Sequence, residues 1–199
     1  MTPIRYRKDV SCFSLSVFLA LFAQDAGAQT SDPACDYGSP EAWAEVAASY
    51  EGFWVVDHLS GFVIAGATTI PFPADDSSDV LGIDVQPDGT LIATHPDAQE
   101  PLVMTWADEP VWIFEKQASD DGVPEPILDS TSVELMMGCP NDQLARLIGT
   151  STAVIDGVQM DFTYRLMVVS PVQMYGIMHV GGAVDGMDFN AWRSVSLTQ

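Results

Sequence analysis

The sequence predicts an all-β fold, an antiparallel up-and-down meander closed into a barrel and preceded by one short N-terminal helix. Three observations carry that expectation. Apolar residues from Gly52 onward recur with period two, not with the helical 3.6. Turn residues interrupt these runs at short intervals, and short links join antiparallel neighbours, because a parallel pair needs a crossover of about a dozen residues or more. Finally, about nine to eleven strands fit between Gly52 and Ser196, and a meander of that many strands leaves none unpaired when it closes on itself. A two-sheet β-sandwich built from the same strands is the alternative.

The elements follow in chain order. Residues 1–8 hold three cations, residues 10–23 form an apolar stretch, and Ala26-Gly27-Ala28 supplies the small residues a signal peptidase reads, so 1–28 is expected to be a secretory signal peptide. The apolar stretch is 14 residues long, short of the roughly 20 that cross a bilayer. No membrane span is therefore expected after cleavage, and the mature protein is expected in the periplasm or outside the cell. Residues 29–38 read as a polar, turn-rich extension, and 39–199 as a single helix-plus-barrel domain.

Within that domain Ser39-Pro40 combines a helix cap with the residue favoured at the first helical position. Trp43, Val46, Ala47 and Tyr50 then share one face of a short helix. The clearest strand is 158–169, where Val158, Met160, Phe162, Tyr164, Leu166 and Val168 alternate with a second set. Shorter alternations fall at Leu81, Ile83 and Val85; at Leu102, Met104 and Trp106; at Val133, Leu135 and Met137; and at Phe189, Ala191, Val195 and Leu197. Turns are expected at Pro87-Asp88-Gly89, Asp108-Glu109-Pro110, Asp156-Gly157, Ser170-Pro171 and Gly181-Gly182. The stretch 117–129 reads as irregular, and 143–147 either as a turn of helix after Pro140 or as the start of a strand continuing to Val154.

Charge and cysteine content bound the function. The chain carries 7 basic and 28 acidic residues, a formal net charge of −21. A surface of that sign repels nucleic acid and anionic membrane, while 47% apolar content excludes an acidic disordered tail. Removal of 1–28 leaves Cys35 and Cys139 as the only cysteines. Two cysteines bound for an oxidising compartment are expected to form one disulfide.

Chemistry-bearing motifs are few. His58, His95 and His179 fall on three different strands without ligand spacing, and neither cysteine has a partner at metal-ligand spacing, so no metal site or cofactor is expected. No Gly-x-Ser-x-Gly turn is present, and no residue is assigned a catalytic role. Methionines cluster toward the C-terminus, where flexible thioethers suit core packing or a deformable apolar pocket.

Gly52-Phe53-Trp54 opens the first strand directly after a short helix, and Arg193 stands in the last strand. This arrangement resembles lipocalins and the wider calycin group of up-and-down barrels, in which a Gly-x-Trp opens the first strand and a late arginine packs across the tryptophan. The aspartate-bearing turn between the sixth and seventh strands of lipocalins is not recognisable here. Arg193 alternates in phase with Phe189, Ala191, Val195 and Leu197, so it faces the interior. A guanidinium there must be paired or stacked, and the resemblance implies Trp54 as its partner.

The resemblance further implies a small hydrophobic or amphipathic ligand. Met104 and Trp106 share one face, as do Phe162, Tyr164 and Leu166, and as do Met174 and Met178; converging, they would wall a pocket whose polar handle is the Tyr164 hydroxyl. The alternative is a non-catalytic envelope or extracellular interaction module. Its barrel would be packed solid, and its acidic face or 117–129 loop would contact a protein partner.

Overall fold

In the computed structural model of the chain, which describes residues 35–96, 98, 100–109 and 130–199, the period-two segments form nine antiparallel strands. They are β1 (Gly52–Ala65), β2 (Thr68–Phe72), β3 (Ser78–Val85), β4 (Leu91–Thr94), β5 (Leu102–Trp106), β6 (Arg146–Ile155), β7 (Val158–Ser170), β8 (Gln173–Val184) and β9 (Met187–Thr198). Neighbours pair in meander order, and β9 returns to pair with β1. Eight strands, β1 with β3 to β9, thus close the barrel, which decides against the sandwich. The ninth, β2, folds back on the second half of β1, while β3 pairs with its first half.

Before the barrel, the Ser39 hydroxyl accepts from the Ala42 amide at 3.2 Å and caps α1 (Pro40–Val46), which runs into a 3₁₀ turn at Ala47–Tyr50. Its apolar face plugs one end of the barrel, here called the lower end. Trp43, Ala47, Tyr50 and Trp54 are fully buried with Ile83 and Leu91. The Trp43 indole donates to the Gly89 carbonyl at 2.8 Å, and the Trp54 indole to that of Tyr50 at 2.9 Å. Gly89 is required there twice over. Its φ is +83°, and any Cβ would lie 2.9 Å from the Trp43 ring.

The cysteines are joined as expected. Cys35 and Cys139 form a disulfide with Cα atoms 6.2 Å apart, across 104 residues of sequence. The chain-entropy argument gives such a loop on the order of 4 to 5 kcal/mol as an upper figure. The bond anchors the segment before α1 close to the foot of β6, where the Tyr37 amide also donates to the Gln143 carbonyl at 3.0 Å.

Two expectations are corrected, and a third, left open between two readings, is settled. Val133, Leu135 and Met137 do not form a strand but belong to a second helix, α2 (Ser130–Met137). Val133 and Met137, four residues apart, pack with Cys139, Leu144 and Met167 beside Tyr175 and Ile177, while Leu135 is exposed. The turn placed at Gly181-Gly182 falls instead at Asp185-Gly186, and both glycines lie inside β8. A Cβ on Gly182 would come within 2.8 Å of the Phe189 ring, so the glycine makes room for a cross-strand aromatic. The segment 143–147 resolves into both readings, a 3₁₀ turn at Asn141–Gln143 followed by β6. The stretch 117–129 and the segment 1–28 lie outside the described residues.

Candidate functional site

Register across β6 to β9 arranges the inward side chains in layers. Val168, Met174 and Leu197 stand lowest; above them come Leu147, Leu166, Gly176 and Val195; then Gly149, Tyr164, Met178 and Arg193; then Ser151, Phe162, Val180 and Ala191. The lowest layer is buried and packed against the plug. Leu147, Leu166 and Val195 of the next layer are buried in the same core, and above them a cavity of about 700 Å³ opens inside the barrel. Its deep wall is apolar, formed by Val56, Leu81, Ala93, Met104, Leu166 and Leu197, and exposed Glu100, Thr152, Val154 and Ile155 mark its mouth. The interior is therefore not solidly filled.

The mouth exists because the strands differ in length. β5 makes its last pairing with β6 at Val103 and Thr150, yet β6 continues through Ser151 to Ile155 beside β7. Five further residues amount to about 16 Å of wall with no counterpart on the β3 to β5 side.

Of the seven residues expected to line a pocket, five do so: Met104, Phe162, Tyr164, Leu166 and Met178. Trp106 and Met174 do not. Both belong to the plugged end, where Met174 is fully buried between Val168 and Leu197, and Trp106 lies under the Arg146 guanidinium at 5.9 Å. Burial and the nearby Asp79 carboxylate push the Tyr164 phenol up to about 12 despite the opposing Arg193 charge, so it remains a neutral hydroxyl. No described residue hydrogen-bonds that hydroxyl.

Arg193 faces inward, but it does not lie over Trp54. Trp54 pairs with Leu81 near the foot of β1 and stacks on Tyr50 at 6.1 Å, whereas Arg193 pairs with Gly61, seven residues farther along the strand. A bulge between His58 and Gly61 interrupts the pairing of β1 with β9, and the guanidinium occupies that break. Its Nε donates to the Leu59 carbonyl at 3.1 Å, and its Nη2 to the carbonyls of His58 at 3.0 Å and Leu59 at 2.9 Å. Nη1 holds Asp75 at 2.7 Å, and the group lies 5.3 Å from the Phe72 ring. The late arginine thus ties the bulge to the link between β2 and β3.

Sequence reasoning missed a polar corner on the cavity wall. His58 Nε2 lies 2.9 Å from Asp79 Oδ2, and His95 Nε2 lies 4.0 Å from Asp79 Oδ1. All three line the cavity with Tyr164 and Arg193. The expectation that the histidines lie apart holds only for His179, which stacks on Trp192 at 4.8 Å and bonds Asn190 at 3.0 Å. A usable signal was present, since His58 continues the inward phase of Trp54 and Val56, and Asp79 that of Leu81 and Ile83. Among the described residues, no group of three or more His, Cys, Asp and Glu side chains is arranged to hold a metal ion.

A small closed antiparallel barrel, plugged below and hollow above, is compatible with a calycin-like fold. Comparison with models of known protein families gives no match, and no curated protein matches the chain. Among the described residues no helix is long and apolar enough to cross a membrane.

Proposed function

We propose that the protein is an exported, lipocalin-like binder of a small hydrophobic or amphipathic molecule. The ligand would be held in the barrel cavity with the Tyr164 hydroxyl on its polar end. One observation carries this reading, namely a cavity of about 700 Å³ inside the sheet with an apolar deep wall. Its volume falls in the range of small-molecule sites, about 300 to 1,000 Å³, and so does the pattern of an apolar wall with a few polar groups. The export-type segment 1–28 and the Cys35–Cys139 bond support a periplasmic or extracellular setting. The rival reading, a solidly packed interaction module, lacks this support because its premise was a filled interior.

The test uses the apolar fluorophore N-phenyl-1-naphthylamine, titrated into the mature protein, with native mass spectrometry of protein from its own host for any copurifying passenger. Saturable fluorescence enhancement at one probe per chain is expected. Ser151→Trp places an indole in the cavity opposite Phe162, and should weaken the probe at least about tenfold while shifting the urea midpoint little. Absence of saturable binding, or binding indifferent to Ser151→Trp, would overturn the proposal.

A further inference from the structure

The charges on the cavity wall are unevenly available to a guest. Arg193 is the one cation among the described lining residues, and its Nε, Nη2 and Nη1 are all engaged, the first two on backbone carbonyls and the third on Asp75. Asp75 balances its charge. Two carboxylates, Asp79 and Glu100, also line the cavity, and neither has an arginine or lysine partner among the described residues. Asp79 has His58 at one carboxylate oxygen and His95, 4.0 Å away, at the other, yet half of its side chain remains exposed. The other described arginines, Arg146 and Arg165, pair with Asp108 and Glu109 away from the cavity. With histidines counted as neutral, the described wall therefore offers negative charge that no described arginine or lysine compensates, beside an apolar surface.

The field of the whole molecule adds to this local imbalance. A net charge of −21 raises the local concentration of cations and lowers that of anions around the mouth. An anionic head would meet Asp79 and Glu100 with no free arginine or lysine among the described residues to receive it. An ammonium head would find acceptors in the Asp79 and Glu100 carboxylates, and the Tyr164 hydroxyl, kept protonated by burial and by Asp79, can still accept through its oxygen lone pairs. The apolar wall from Leu81 through Met104 to Leu166 accommodates the tail.

From this distribution we infer that the cavity selects amphiphiles with a positively charged head and an apolar tail, and discriminates against those with a carboxylate. The inference rests on the carrier reading above and names the ligand class of the same site. It is tested by displacing bound N-phenyl-1-naphthylamine with two probes of equal tail, dodecylammonium and dodecanoate, both below their micelle concentrations.

Dodecylammonium is expected to displace at least about tenfold more effectively, which corresponds to about 1.4 kcal/mol. In Asp79→Asn, checked for unchanged far-ultraviolet dichroism, the gap should close to within about threefold. In the wild type, raising salt from about 0.02 to 0.5 M should narrow it as well. Equal or better displacement by dodecanoate overturns the selectivity while leaving the carrier reading intact. A full gap surviving in Asp79→Asn or in high salt overturns it too, because the head would then not be read by charge. Failure of the fluorophore itself to bind is the distinct result that defeats the carrier reading.

Discussion

The two ends of the barrel are built from the same alternation and reach opposite results. Below, Trp43, Tyr50 and Trp54 bring large rings to a space ringed by Ile83, Leu91, Met174 and Leu197, and all are buried to within a few per cent. Above, Ala93, Ser151 and Ala153 contribute small side chains, three short strands stop early, and the facing walls stay apart. The lower end is further secured by a disulfide and by indole hydrogen bonds to two carbonyls. Alternation decides which side chains point inward. Whether they meet depends on their size, on strand length, and on what enters from the end.

That contrast can be broken by matched truncations. Trp54→Ala should cost about 3 to 5 kcal/mol in urea unfolding, because it opens a void in a packed region. Phe162→Ala, on the cavity wall and partly exposed, should cost less than about half of that, since space already exists around the ring. Equal losses would show that the two ends are equally packed and that the contrast is only apparent.

Arg193→Ala tests the junction between the ends. It leaves the carbonyls of His58 and Leu59 without their side-chain donor in a partly buried place, and a loss of about 2 to 3 kcal/mol is expected. Restoring bulk alone with Arg193→Met should recover little of it. A loss below about 0.5 kcal/mol would mean that the bulge holds itself.

The smallest effect concerns acid. The hydrogen bond from Arg193 holds the Asp75 carboxyl below its ordinary 3.8. A carboxyl depressed on folding contributes stability that is fully present above its unfolded value and is lost as pH falls through the lower folded value. Between about pH 5 and pH 3 the wild type should therefore lose stability more steeply than Asp75→Asn in parallel urea titrations. Superimposable acid profiles would show that the pair contributes nothing.

How much of this was legible depended on distance along the chain. β7 could be read residue by residue, because an alternation of twelve residues fits no other period. α2 could not, since Val133, Leu135 and Met137 satisfy period two while Val133 and Met137 also satisfy the four-residue spacing of a helix, and eight residues do not decide between them. Cys35 and Cys139 were legible by count alone. The inward aim of Arg193 was legible from phase, but its partners were not, because they follow from a bulge in β1 and from the cross-strand register of a strand more than 130 residues away. The polar corner had the same history. His58 and Asp79 carry the inward phase of β1 and β3, His95 continues that of β4 one residue past its end, and the cross-strand register of β1, β3 and β4 brings the three together.

The unequal strand lengths have a consequence of another kind. A fully closed barrel presents no free strand border to other molecules, which is one protection such folds have against aggregation. Where β3 to β5 stop short, that protection lapses. Among the described residues, β2 pairs only with β1, and β6 beyond Thr150 pairs only with β7, so the upper part is an open six-stranded sheet with two free borders. On β2 the hazard is limited by its five-residue length and by Pro71, which has no N–H to offer an incoming chain. The β6 border carries no proline and ends in exposed Val154 and Ile155. The shortness that opens the mouth therefore also makes residues 151–155 the stretch of described backbone most open to pairing with a second chain when the protein is crowded.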